Sequence, residues 1–405
     1  MWSVFDEGVF MKVTIVSNFD LETGRGPVFR LANILPYLSE KVELSVISLQ
    51  EPDSLSAQVF DKSRIKYNIL CFETNGWNVE NSALVASNIS QMVVDLNADL
   101  CVLGWEYWDI CIELNKELHK TNCRFAVVFH SIPFVDALPF PKGYKDDIQE
   151  RIDSEKNIMI RDYIKNRSTN AEDYIRDLNI ISINETVSFY LEHYFPSKSF
   201  YKANPGYALD MDEIMKVESE YKEYSFVYMS KLEYSKGIFD LLCIAEELKK
   251  TRPEWKLLVI GDFLYEKEKL EFLSQLKYKD LENTIVLAGW LSGKEKYKAL
   301  KKGRVFLYPS LTGDTFSFCL LEALACGMEV ICYDTPFSRI IYSDAPVRRA
   351  EYKNYTMFAK MAIEELYSAS EVKSKYAVDF VRKKYSDWKK VADAEVLVYE
   401  QLCNG

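Results

Sequence analysis

The sequence predicts an α/β protein made of two Rossmann-like domains, each organised around a parallel sheet. Three observations carry that prediction. At 405 residues the chain exceeds what a single hydrophobic core usually supports. Short Val/Ile-rich runs alternate with longer stretches whose apolar residues fall three and four apart, the pattern of parallel strands covered by amphipathic helices on both faces. The alternation halts over residues 202–224, where turn residues mix with acids, and then starts again.

The first domain, residues 1–205, reads as strands at Lys12–Ser17, Val42–Ser48, Leu100–Gly104, Arg124–His130 and Leu178–Asn184. The second, residues 206–384, reads as strands at Ser225–Ser230, Trp255–Gly261, Thr284–Trp290, Arg304–Ser310 and Glu329–Asp334. Residues 385–405 form a charged amphipathic helix with no strand after it, able to pack on either domain. Met11, just before the first strand, marks the preceding ten residues as an appendage. A long charged helix is expected over residues 142–167, most simply as a solvated face.

Charge narrows the partners. The net charge is −11, which excludes a sequence-independent grip on nucleic acid, since that needs a basic face. Nearly all of the excess lies before Asp210, so an anionic ligand would prefer the second half. The nine cysteines form no C-x-x-C pair and several sit inside apolar runs, as reduced thiols in the cytoplasm do. No run reaches about 18 apolar residues and the N-terminus has no secretory pattern, so no membrane span is expected, with peripheral membrane contact left open. Only three histidines are present, at 119, 130 and 193, and no metal cluster gathers around them.

Ligands of open parallel sheets bind outside the carboxyl ends of the strands, so the loops there hold the candidates. In the first such loop Gly24 and Gly26 allow close backbone approach to a phosphate or sugar; a plain tight turn is the alternative, and Phe29 stands where a dinucleotide fingerprint needs a third glycine. In the second domain's first loop, Lys231 and Lys236 flank a turn that opens a helix near Gly237, a site for a diphosphate unless both lysines are merely solvated. The stretch Leu311–Gly327 then carries Asp314 before a helix and Glu322 two turns into it, with Thr315 or Ser317 able to cap it. Helix-dipole stabilisation accounts for Asp314. It does not account for Glu322, which sits among Leu320, Leu321, Ala323 and Leu324 and wants several donors, such as the vicinal hydroxyls of a ribose. Trp105, Tyr107 and Trp108 could stack on a sugar or an aglycone at the acceptor side, or pack at the sheet edge. Asp210-Met-Asp212 has the form of an Asp-x-Asp metal motif but lies in the interdomain connection, where it is a coincidence.

Residues 225–335 resemble the retaining nucleotide-sugar glycosyltransferases of the two-Rossmann (GT-B) fold, family 4, also called glycosyl transferases group 1. The resemblance rests on Lys231-x-x-x-x-Lys236-Gly237, on Asp314-Thr-Phe-Ser-Phe-Cys-Leu-Leu-Glu322-Ala323, and on LVIGD, LAGWLSGKEKYKAL, VFLYPS and EALACGMEVICYD in matching order. It implies parallel sheets facing a central cleft, with residues 1–205 as the acceptor domain, 206–384 as the donor domain, and helix 385–405 returning to the first. It implies a metal-independent transferase with no tightly bound cofactor, moving a sugar from a UDP-, GDP- or ADP-sugar to an acceptor hydroxyl. Lys231 and Lys236 would hold and neutralise the leaving diphosphate, and Asp314 would accept hydrogen bonds from the donor sugar. Thr315, Phe316, Ser317, Phe318 and Cys319 would line sugar and phosphate, and Glu322 would take the ribose. His130 would reach across the cleft to the donor sugar, and Gly24 and Gly26 would let the first loop approach it. The chain departs from the family pattern where Asp314 stands for Glu, Lys231 for Arg, and Thr315 and Ser317 for two glycines. Two other readings stay open: a non-catalytic sugar- or nucleotide-binding partner of the same fold, and a sugar-nucleotide epimerase or phosphorylase.

Overall fold

The computed structural model describes residues 11–17, 26–50, 65–71, 79–106, 108–131, 175–218, 221–251, 254–311 and 314–404. The chain divides into two compact units: Met1–Tyr207 together with Trp388–Gly405, and Ala208–Asp387.

In the first unit β1 (Lys12–Ser17) is followed by α1 (Gly26–Leu38), β2 (Glu43–Gln50), β3 (Lys66–Cys71), α2 (Val79–Asp95), β4 (Leu100–Leu103), α3 (Trp108–Leu118), β5 (Arg124–Phe129), β6 (Ile180–Ser182), α4 (Glu185–Tyr194) and β7 (Tyr201–Lys202). The sheet order is β3-β2-β1-β4-β5-β6-β7, with every pairing parallel. Its centre is covered on both faces: Val13, Ile15, Val16 and all of Leu100–Leu103 are buried, and the polar Thr14 and Ser17 of β1 are buried with them.

The second unit runs α5 (Met211–Lys216), β8 (Tyr224–Met229), a 3₁₀ turn (Tyr234–Lys236), α6 (Ile238–Thr251), β9 (Leu257–Ile260), α7 (Glu266–Tyr278), β10 (Ile285–Leu287), α8 (Gly293–Lys301), β11 (Gly303–Tyr308), α9 (Phe318–Ala325), β12 (Glu329–Tyr333), α10 (Pro336–Ile340), β13 (Val347–Ala350), α11 (Tyr355–Ser368) and α12 (Glu371–Lys384). Its strands lie parallel in the order β10-β9-β8-β11-β12-β13. The period of two along β8 divides its side chains between two cores. Val227 and Met229 pack with Phe306, Leu320, Leu324 and Phe380. Phe226 and Tyr228 pack on the opposite face with Leu241, Leu307 and Phe358. The last helix, α13 (Trp388–Asn404), belongs to the first unit, where the buried Glu395 carboxylate pairs with Arg30 of α1.

Three strands escape the apolar-run reading. β7 has two residues, and β3 contains Lys66 and Asn68. β13 carries Arg348 and Arg349, whose guanidinium groups leave the strand to reach Glu364 (2.9 Å) and the Ser338 and Tyr342 carbonyls (2.7 and 2.6 Å). β10 stops before the apolar residues that follow it, because Gly289 turns the chain at φ +71°. Asp210 of the Asp-x-Asp sequence caps α5, its carboxylate accepting from the Glu213 amide at 2.9 Å. The appendage expected before Met11 and the charged helix expected at 142–167 lie outside the described residues.

Candidate functional site

The second sheet reverses its winding between β8 and β11, and a ligand crevice forms at such a switch point. Two loops meet there. The turn after β8 passes so close to the loop after β11 that a Cβ on Gly237 would sit 1.8 Å from the Pro309 carbonyl oxygen, and Gly237 has φ +74°. Only glycine serves at that point. The Leu311 amide donates to the Ser235 carbonyl at 3.0 Å, and Tyr228 OH donates to the Lys236 carbonyl at 2.9 Å, fastening the turn on both sides.

Lys236 is thereby aimed at Asp314, with which it forms an ion pair. The other oxygen of Asp314 accepts from Tyr308 OH at 2.9 Å and from Ser310 Oγ. Burial works against the charge of Lys236, but Asp314 outweighs it and holds the ammonium above its usual pKa. Lys231, half-buried, stands at the carboxyl end of β8.

Of the two cap candidates, Ser317 caps α9, its Oγ accepting from the Leu320 amide at 3.2 Å, while its carbonyl accepts from Tyr342 OH at 2.8 Å. Phe316 packs against Phe318, Tyr342 and Tyr385, which anchors this loop from beneath. Thr315 and Ser317 are buried; Phe316, Phe318 and Cys319 are half-buried. Burial, with Glu322 adding to it, pushes the Cys319 thiol up to about 12, so it is no nucleophile. Glu322 is buried on α9 and accepts from Lys296 of α8 at 2.5 Å and from Tyr297 OH at 3.3 Å.

In the first unit Gly26 opens α1 and Trp108 opens α3, while Trp105 is half-buried just after β4. Gly24 and Tyr107 lie outside the described residues. His130 is buried at the carboxyl end of β5; Nδ1 faces Tyr207 OH at 3.3 Å and Nε2 faces the Gly104 carbonyl at 3.1 Å. The Nε2–H tautomer satisfies both partners. Burial first, then the nearby Arg30 charge, drives its pKa well below the ordinary histidine value, so the ring is neutral. Glu106 accepts from the His130 and Ser131 amides at 2.9 Å, and its burial raises its pKa.

Sequence reasoning did not single out Lys296, Tyr297, Tyr308, Ser310, Tyr342, Glu106 or the Arg30–Glu395 pair. Lys296 lies in a basic cluster that is visible in the sequence, but its pairing with Glu322 has no sequence signal. Among the described residues no group of three or more His, Cys, Asp and Glu could hold a metal ion, and no helix is long and apolar enough to cross a membrane.

Residues 210–371 match the family model for glycosyl transferases group 1. The second unit is a glycosyl transferases group 1 domain. The chain is 25% identical over 191 residues to the phosphatidylinositol N-acetylglucosaminyltransferase gpi3 subunit of Schizosaccharomyces pombe, a match covering 44% of this chain and 39% of that protein. The chain thus matches well under half the length of that curated relative. Among solved structures it is similar to sucrose-phosphate synthase of Thermosynechococcus elongatus, with TM-score 0.72, 12% identity and coverage of 97% and 99% of the two chains. It is also similar to HepE of Anabaena, solved with UDP and glucose, with TM-score 0.66, 12% identity and the same coverage. The fold is therefore GT-B, two Rossmann-like units in one chain.

Proposed function

We propose that this chain is a retaining glycosyltransferase that moves a sugar from a nucleoside-diphosphate sugar to an acceptor hydroxyl. The acceptor is a glycan, a lipid-linked sugar, a protein or a small molecule. The observation that carries the reading is the Lys236–Asp314 pair at the switch point of the group 1 domain, with Glu322 buried on the helix that follows Asp314. Lys236 and Lys231 hold the diphosphate, and their positive charge stabilises it as it leaves. Asp314, fixed by Tyr308 and Ser310, accepts from donor-sugar hydroxyls. Glu322 accepts from the ribose. The loop Thr315–Cys319 lines sugar and phosphate, with its amides at the start of α9 turned toward the anion. The attacking hydroxyl enters from the side of the leaving group, and the departing phosphate takes its proton, so the chain's own share is positioning and electrostatics.

The reaction needs neither a metal nor a tightly bound cofactor. The first unit takes the acceptor, with Trp105, Tyr107 and Trp108 as its contacts. His130 contacts the donor sugar, a role that requires its Nε2–H to leave the Gly104 carbonyl; Gly24 and Gly26 line the same approach. UDP is the first nucleotide to try, since HepE was solved with it. The protein works in the cytoplasm, where its thiols stay reduced.

The test is donor turnover by the purified protein with UDP-, GDP- and ADP-sugars. Release of nucleoside diphosphate with a new α- or β-glycoside of the donor's own anomeric configuration supports the reading. Lys236→Ala is expected to lower turnover about 10²–10³-fold while the protein stays folded. Full activity in both Lys236→Ala and Glu322→Ala removes the site, and binding of a donor without any turnover makes the chain a non-catalytic partner.

A further inference from the structure

We propose that Lys296 binds the nucleoside together with Glu322, the two acting as an acceptor–donor pair that reads a ribose cis-diol. The inference rests on the functional reading above, which gives Glu322 to the ribose, and it adds a second residue from a different helix.

The geometry begins with the crossovers. In a parallel sheet each helix starts at the carboxyl edge of the strand before it. Lys296 lies in the first turn of α8, which follows β10, and Glu322 lies on α9, which follows β11. Both therefore stand at the edge of the sheet that carries Lys236 and Asp314. The Lys296 side chain is 21% exposed and the Glu322 side chain 8%. An ion pair removed from water to that degree is a poor stabilising device, because desolvation of the two charges offsets their attraction and an apolar pair of similar volume does as well. The helix would accept such a pair: Leu320, Leu321, Ala323 and Leu324, the neighbours of Glu322 along α9, are fully buried. A charged pair at this place is explained by a ligand that uses it.

The atoms define the ligand. Both hydrogen bonds to Glu322 fall on Oε1, from Lys296 Nζ and from Tyr297 OH, and Oε2 accepts none among the described residues. The Lys296 ammonium carries three N–H groups and stands over the Tyr297 ring at 4.7 Å, which fixes its direction. One free acceptor beside a held cationic donor matches two adjacent hydroxyls: one donates to Oε2, and the oxygen of its neighbour accepts from Lys296. A deoxyribose presents only half of that pattern. An unpaired group in such a partly buried site costs more than a lost contact in water, so each hydroxyl should count for about a tenfold change in affinity.

The experiment is a calorimetric titration of UDP, 2′-deoxy-UDP and 3′-deoxy-UDP into the wild-type protein, Lys296→Met and Lys296→Gln, with circular dichroism to verify folding. The wild-type protein is expected to prefer UDP to at least one deoxy analogue by about tenfold. Both variants should still bind UDP through Lys231 and Lys236, about tenfold more weakly than the wild-type protein, while that preference falls to about threefold or less. Lys296→Arg should restore part of it, which a purely structural role would not predict. Undiminished preference in a folded Lys296→Met overturns the role of Lys296 while leaving the donor site standing. Equal affinity of the wild-type protein for UDP and both deoxy analogues overturns the ribose assignment itself. Failure to bind UDP, GDP or ADP at all overturns the functional reading on which both depend.

Discussion

The two units share an architecture, and the buried charges of the first contrast with those at the switch point of the second. In the first, ionic groups are sunk into the interior and paired within the chain, although Arg30 Nη1 finds no partner among the described residues. Arg30 and Glu395 are fully buried, Arg30 Nε also donates to the Gly206 carbonyl at 2.6 Å, and Tyr399 OH donates to Glu395 at 2.7 Å. His130 and Glu106 are likewise closed in by backbone groups and Tyr207. In the second unit the charges at the switch point keep one side toward solvent, with the Lys236 side chain 22% exposed. A charge whose partners are all supplied by the fold holds structure. A charge left partly wet at the end of a parallel sheet can still exchange a partner for a ligand.

The sharpest way to break this contrast is Arg30→Ala. Removing one partner of a fully buried pair leaves Glu395 charged and unmatched, so the first unit should lose about 3–5 kcal/mol in a denaturant titration. Arg30→Met combined with Glu395→Met should recover most of that loss. If Arg30→Ala lies within about 1 kcal/mol of the wild-type protein, the buried network is not structural.

Gly237→Ala tests whether the second unit depends as strictly on its backbone. The added Cβ meets the Pro309 carbonyl oxygen at 1.8 Å in a left-handed conformation. The conformation alone should cost about 1–3 kcal/mol, and displacement of Lys236 should raise the donor KM. Unchanged KM in a destabilised variant would separate the turn from the site.

pH sharpens the comparison further, because a buried group in each unit titrates with opposite sign. Glu329, at the start of β12, is raised to about 7 by burial first and by Glu365 in addition, against the opposing charge of Lys373. Its folded form holds the proton more tightly than the unfolded chain, so its contribution is present below about pH 4.5 and is lost as pH rises through about 7. Glu329→Gln should therefore match the wild-type midpoint near pH 5 and exceed it increasingly up to pH 8; a constant difference across that range contradicts the shift. His130 runs the other way. Its folded pKa lies below the unfolded value of 6.5, so the folded state binds fewer protons and stability falls as pH drops below 6.5 toward the folded pKa. Its imidazole NMR resonances should stay in the neutral form at pH 6, and a midpoint near 6.5 would show the ring to be open to solvent.

Much of the fold was legible in the residues. β1 was readable to the residue because Val13, Thr14, Ile15 and Val16 make an unbroken β-branched run between polar ends. β13 was not, since its arginines belong to carbonyls and carboxylates that come from other elements. At the site, Lys236, Asp314 and Glu322 were legible because each is a charge out of place beside a turn or within an apolar helix. Lys296 was not, because a lysine on a basic helix is ordinary until the helix is set against α9.

The sequence alone determined the alternation of parallel strands and helices, the restart after residue 224, and which loops carry the acids and lysines, because those features follow from local periodicity and turn chemistry. Only the tertiary structure decided which charges meet. Arg30 and Glu395 are 365 positions apart, Lys236 and Asp314 are 78 apart, and Lys296 and Glu322 are 26 apart. Such pairs depend on where crossovers set one helix or loop beside another, and strand order is a property of the folded sheet that no local pattern contains.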